Sequence, residues 1–334
     1  PIPTYLVGVA VSDYQHIDYV HTGQYGDIPV QLVARPQHIN DMENTFELLD
    51  DAIDIFESWY GPYIWERVGF VLTPRGAMEH CTNIAYPIPS GIGGPTFGGN
   101  RLMAHELAHH WWGNMTTLSG PENMWIKEGN AEYGAHLFTE YTAGEEAFVD
   151  QVKSNNLLVL RTADNNDDGF HPLSGIPFEH TYGVHTYRKG ASMLHNMRTY
   201  MGDTLFQIGQ QSVLENFLYT SIDAETYRDH LALVTGLDMN PFFDDWIFAP
   251  GHADYEINTI DIQPTGGQFN IEVEIQQKGR GTIDFHDDVP MTIAFYDEDY
   301  QKTEFDFMVS GEISTANFTL PFEPIMQILN PNQA

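Results

Sequence analysis

The chain has 334 residues, 42% of them apolar, and its 47 acidic and 14 basic side chains give a formal net charge of -33. That length and apolar content predict more than one folded domain, each with a genuine core, and exclude a disordered chain. So large an acidic excess repels nucleic acid phosphates and anionic lipid headgroups, so neither is an expected partner.

No run of eighteen apolar residues occurs, so no membrane span is expected. The single cysteine, Cys81, cannot form an internal disulfide. An extracellular or periplasmic location is expected over a cytoplasmic one.

Taken in chain order, residues 5–12 (Tyr-Leu-Val-Gly-Val-Ala-Val-Ser) predict a buried strand that starts almost at the first residue, as if its partners lay upstream. A piece of a longer protein is therefore expected. A second strand is predicted near Pro29 to Val33. From Ile39 to Tyr60, Met42, Phe46, Leu49, Ile53 and Phe56 recur at three- and four-residue steps, the period of an amphipathic helix. A short strand over Arg67 to Leu72 leads into Gly76-Ala77-Met78-Glu79-His80, followed by a Gly/Pro-rich loop from Pro87 to Asn100 and a helix starting close to Arg101.

Helical patterns then dominate to about Phe248, with a polar loop at Asp164 to Gly169 and a turn near Gly175. The loop matches the first half of an EF-hand, but its twelfth position is Gly175 instead of the bidentate Glu, so an acidic exposed loop is expected there. From Tyr255 onward, short alternating segments separated by Gly, Pro and Asp predict a small β-sandwich, with the boundary near Ala249-Pro250-Gly251.

His105-Glu106-Leu107-Ala108-His109 lies in a helix-compatible stretch, where histidines four apart project from one face and can share one ion. Two imidazoles suit zinc, and a catalytic zinc takes a third protein ligand while leaving a position for water. Further on, Trp125-Ile-Lys-Glu128-Gly-Asn-Ala-Glu132-Tyr reads as a second helix that can return Glu128, nineteen residues after His109, to the metal. Glu106, beside the ligands but not among them, is placed to act as general base.

Here the sequence resembles the gluzincin zinc aminopeptidases, the family of aminopeptidase N and leukotriene hydrolase. The resemblance rests on His105-Glu-Leu-Ala-His109-His-Trp111-Trp-Gly113-Asn114 and on Trp125-Ile-Lys-Glu128-Gly129, where the family shows Trp-Leu-Asn-Glu-Gly. Two more segments match. Gly76-Ala77-Met78-Glu79-His80 corresponds to the family's Gly-Ala-Met-Glu-Asn, departing at its last position, and Tyr187-Arg-Lys189-Gly190-Ala191 corresponds to Tyr-x-Lys-Gly-Ala.

The resemblance implies an α+β fold: a thermolysin-like, mainly helical catalytic domain with a small β-sheet over 16–250, followed by a β-sandwich over 251–334. Residues 1–15 are then the end of a truncated N-terminal β-domain, and a C-terminal helical domain is missing. It implies one catalytic Zn2+ on His105, His109 and Glu128, with Glu106 and Tyr187 catalytic and Tyr187 facing the developing oxyanion. Glu79 would hold the substrate's free amine from an edge strand, and the Gly76 and Ala77 backbone would hydrogen-bond the peptide as an added strand. Glu132 is a candidate partner for a ligand histidine's second nitrogen, whereas Trp111, Gly113 and Asn114 are expected to frame the site. His171, His180 and His185 are expected to lie outside it, and Tyr182 is a candidate for lining it.

The expected activity is hydrolysis of N-terminal residues from peptides with a free N-terminus. Two other readings stay open at this point: a peptide-binding fragment made inactive by the missing domains, and epoxide hydrolysis, which shares every zinc residue.

Overall fold

A computed structural model describes residues 2–88, 100–282 and 284–333. The first sheet has four strands in the order β1-β2-β3-β4: β1 (Gln15–Thr22), β2 (Asp27–Ala34), β3 (Val68–Thr73) and β4 (Ile84–Pro87). β1 and β2 form an antiparallel hairpin, and β2, β3 and β4 run parallel. β2 buries alternate residues, Ile28, Val30, Leu32 and Ala34, as a strand with one covered face must. β3 is buried throughout from Val68 to Leu72, the pattern of a parallel strand covered on both faces.

The crossover from β2 to β3 carries two helices, α1 (Ile39–Thr45) and α2 (Leu49–Tyr60), in place of the one helix predicted over 39–60. The apolar period continues across the break, because Phe46 turns into the core against Phe70 and Tyr86, with ring centroids 4.5 and 5.1 Å away. Gly61, at φ +90°, ends α2.

The strand predicted over 5–12 is absent. Thr4–Leu6 form a single 3-10 turn, residues 7–14 hold no strand, and Val7, Val9 and Val11 are exposed. A run of β-branched residues makes a strand only beside a ladder partner, and no described segment pairs with this one. Of the loop expected over 87–100, residues 89–99 lie outside the described residues.

The helical part comprises α3 (Asn100–Ala108), α4 (Trp125–Ala143), α5 (Glu145–Asn166), α6 (Gly190–Met201), α7 (Asp203–Asn216), α8 (Ala224–Thr235) and α9 (Asn240–Phe243). The two-residue strands β5 (Thr117–Leu118) and β6 (Ser221–Ile222) tie the segment after α3 to the end of α7. Short π-helical turns cover His185–Lys189, running into α6, and Asp244–Phe248. α5 continues through Asn166, so half of the predicted acidic loop is helix. The Asp167 carboxylate accepts hydrogen bonds from the backbone N–H of Val184 and His185 and from His185 Nδ1 at 2.6 Å, so this part of the expected exposed loop is buried instead.

Beyond residue 251, β7 (His252–Thr265) and β8 (Gln268–Arg280) form a long hairpin around Gly266–Gly267, both at positive φ. With β9 (Val289–Tyr296), β10 (Lys302–Val309), β11 (Ile313–Leu320) and β12 (Met326–Leu329) they make two three-stranded sheets, β11-β8-β7 and β10-β9-β12. Ile271, Val273 and Ile275 of one sheet and Met291, Ile293 and Phe295 of the other are buried. The fold is α+β: a helical body on a small sheet, followed by an antiparallel β unit.

Candidate metal centre

Two helices bring the expected ligands together. His105 and Glu106 sit in the last turn of α3, and His109 follows directly, its N–H bonded to the His105 carbonyl. Glu128 sits in the first turn of α4. The helices approach closely because α4 carries Gly134 opposite Ala108, where an added Cβ would stand 2.8 Å from the alanine methyl.

His105 Nε2 and His109 Nε2 are 3.2 Å apart, and Glu128 Oε2 lies 3.5 Å from the first and 3.2 Å from the second. Ligands about 2.0–2.1 Å from a tetrahedral zinc are spaced by about 3.3 Å, so the three atoms already form one face of such a shell. The His109 tautomer suits the task. A carbonyl only accepts, so the 3.0 Å contact of Nδ1 with the Trp112 oxygen puts the proton on Nδ1 and leaves the Nε2 lone pair facing the cluster. His105 Nδ1 faces Glu132 Oε2 at 3.4 Å, the support expected from Glu132, although it is not aligned as a hydrogen bond. Arg101 Nη2 at 2.7 Å and Arg188 hold the other Glu132 oxygen.

These groups line a cleft of about 880 Å³ together with Ala77, Glu79, Glu106 and Tyr187. Glu106 is buried, and its Oε2 has no hydrogen-bond partner. Burial pushes its carboxyl up to about 7 against the opposing pull of the His105 and His109 rings. In Glu128 the balance is reversed. Burial alone would raise it, but His109, His105 and Lys127 hold it well below the ordinary value, so it is a carboxylate.

Tyr187 stacks on the His105 ring with centroids 6.1 Å apart, and burial raises its phenol far above the ordinary value, so it stays a hydrogen-bond donor. Its position depends on two glycines. Gly129 of α4 and Gly190 at the start of α6 meet backbone to backbone, and a Cβ built on either would stand 3.1 and 3.0 Å, respectively, from a Cα of the other helix. Tyr182 also lines the cleft but is 69% exposed.

Glu79 reaches the cleft from a turn instead of the expected edge strand: Met78 makes one antiparallel bridge to Ala85 of β4, the edge of the sheet. Ala77 lines the cleft, whereas Gly76 packs against the backbone of Ala85 and Pro87. Glu79 is 4% exposed, and Lys127 bonds its Oε1. The same lysine lies 3.3 Å from Glu128 Oε1. Burial would raise the Glu79 carboxyl, but His109 and Lys127 hold it below its ordinary value.

Three groups complete the site: Asn114, already expected to frame it, and Lys127 and Asp167, whose roles the sequence alone left unseen. Lys127 stands where the resembling family has Asn, and that departure was the available signal. Asn114 Nδ2 donates to the Glu79 carbonyl at 3.1 Å and so ties the substrate segment to the metal segment. Asp167 anchors the turn that leads to Tyr187, although its acidic stretch reads as an exposed loop. His171, His180 and His185 stay outside the ligand set, as expected.

Residues 42–246, well over half of the chain, match the Peptidase family M1 domain. The chain belongs to peptidase family M1. Among M1-related proteins, a leucyl aminopeptidase of Saccharolobus solfataricus is 25% identical over 287 residues, 81% of this chain and 35% of that protein. Rabbit (Oryctolagus cuniculus) aminopeptidase N is 26% identical over 288 residues, 77% and 29% of the two chains. This M1 chain thus spans about a third of the length of these relatives.

Two solved structures share the fold. Legionella pneumophila aminopeptidase A, in complex with aspartic acid, superposes with a TM-score of 0.78 at 16% identity, covering 95% of this chain and 37% of that one. An M1 zinc metallopeptidase from Deinococcus radiodurans gives 0.64 at 21% identity, covering 74% and 54%.

Proposed function

We propose that the chain is the catalytic portion of a zinc aminopeptidase, with residues 16–250 as its catalytic domain, 251–334 as its β-sandwich and 1–15 as the end of an N-terminal β-domain. The observation that carries this reading is the triangle of His105 Nε2, His109 Nε2 and Glu128 Oε2, spaced 3.2–3.5 Å, in the wall of a cleft. Two neutral imidazoles and one carboxylate are the donor set of a catalytic zinc. A zinc ion bound there supplies Lewis acidity, polarising a peptide carbonyl and lowering the pKa of a water toward neutrality.

The chain's own residues do the rest. Glu106 takes a proton from the attacking water and returns it to the leaving amine, a task for a carboxylate near the ligands with a free oxygen. The Tyr187 hydroxyl donates to the carbonyl oxygen as it gains charge, a contribution of about 2–4 kcal/mol for one such donor. Glu79 receives the peptide's terminal ammonium and fixes the scissile bond one residue away. Lys127 occupies Oε1, and among the described residues no side chain pairs with Oε2, which leaves that oxygen for the substrate.

Hydrolysis of aminoacyl-p-nitroanilides by the zinc-loaded chain tests this. Activity that disappears in Glu106→Gln with zinc retained supports the enzyme, and peptide binding without turnover would instead identify a binding module.

A further inference from the structure

A second cavity, of about 300 Å³, lies between α5, α6 and the β unit and shares no lining residue with the metal cleft. Its wall includes Lys189, which is 2% exposed and whose Nζ has no hydrogen-bond partner. No carboxylate pairs with it among the described residues, and burial alone brings its ammonium down to about 7. The lining also includes His252, with a buried unpartnered Nε2, and Tyr255, with a buried unpartnered hydroxyl. Behind Trp246, His286 is buried with both ring nitrogens unpartnered, and Lys189 bears on both histidines.

Three hydrogen-bonding groups thus line one small cavity, and each lacks a hydrogen-bond partner among the described residues. Leaving one such group unmade is costly, and three around a shared space point to a missing common partner. That partner is anionic, because a lone buried ammonium calls for a counter-charge. The acids nearest the cavity reach its other groups and not Lys189: Asp254, itself in the wall, and Asp164 act on His252, and Asp245 and Asp287 on Tyr255. Leu157, Leu160, Met193 and Met291 make much of the remaining wall apolar.

We propose that this cavity binds a small amphipathic carboxylate, its carboxylate held by Lys189, His252 and Tyr255 and its short apolar body lying against Leu157, Leu160, Met193 and Met291. At roughly 30 Å³ per water molecule, the volume suits a body of a few carbons and excludes long acyl chains. A bare inorganic oxyanion satisfies the donors but leaves the apolar wall uncovered.

Titration calorimetry of the zinc-loaded chain with three probes tests the assignment: hexanoate, hexan-1-ol with the same body and no charge, and inorganic phosphate with charge and no body. Hexanoate is expected to bind saturably with one site, and the other two at least roughly tenfold more weakly. Lys189→Met should weaken hexanoate at least roughly tenfold while zinc content stays unchanged and ligand-free thermal stability holds or rises. Leu160→Trp, which fills the cavity and keeps the lysine, should block hexanoate as well. Hexanoate binding that persists in both variants would place it outside this cavity and overturn the proposal, as would phosphate binding more tightly than hexanoate or hexanoate showing no saturable binding.

Discussion

Lys127 stands between Glu79 and Glu128, two buried carboxylates to which the proposed function gives different tasks, one toward the substrate and one toward the metal. Together with His109, its charge holds both carboxyls below their ordinary values. Removing it in Lys127→Met leaves two buried charges unbalanced, and a loss of about 3 kcal/mol in urea unfolding of the metal-free chain is expected. An unchanged midpoint would mean that the pair is not formed in solution. Glu79→Ala should lower kcat/KM for free-amine peptides by tenfold or more with zinc content unchanged. Equal cleavage of N-acetylated and free peptides by the parent chain would remove Glu79 from that role. Glu106→Gln keeps the shape and loses the base, so turnover should fall by about 10²–10⁴ with zinc retained in metal analysis.

At the scale of the elements, the site is a consequence of close helix approaches. Gly134 lets α4 reach α3, and the Gly129–Gly190 contact sets α6 and the Tyr187 turn against α4. Alanine at Gly129 or Gly190 should push these backbones apart and cut kcat roughly tenfold or more while zinc stays bound, since about 1 Å of misplacement costs on the order of 10²-fold. Steady-state kinetics beside metal analysis separates this from simple loss of the ligands. The sequence showed which residues meet because histidines at i and i+4 and a returning glutamate are local chemistry. It did not show that the motif glycines are contact points, because what faces a glycine is a property of another helix. Likewise, the β-branched run at 7–11 promised a strand but has no ladder partner, and Phe46 kept an apolar period going across a broken helix. Asp167 read as part of an exposed acidic loop because the backbone it serves, at 184–185, is distant in sequence.

On the scale of the whole molecule, the order of patterns along the chain foretold the architecture. Helical periods gave way to period-two alternation near residue 250, and the structure has helices before that point and two three-stranded sheets after it. What the order of patterns could not supply was the space between the parts, including the cavity around Lys189, since its walls come from separate segments spread between Lys153 and Gln333. The cleft and its three converging donors are the feature on which the functional account depends. The most direct test is metal analysis of the purified chain after equilibration with zinc and removal of the excess. One zinc per chain is expected, bound through two imidazole nitrogens and one carboxylate by X-ray absorption and lost in Glu128→Ala. A folded chain that retains no zinc, or one whose zinc survives Glu128→Ala unchanged, would contradict the account.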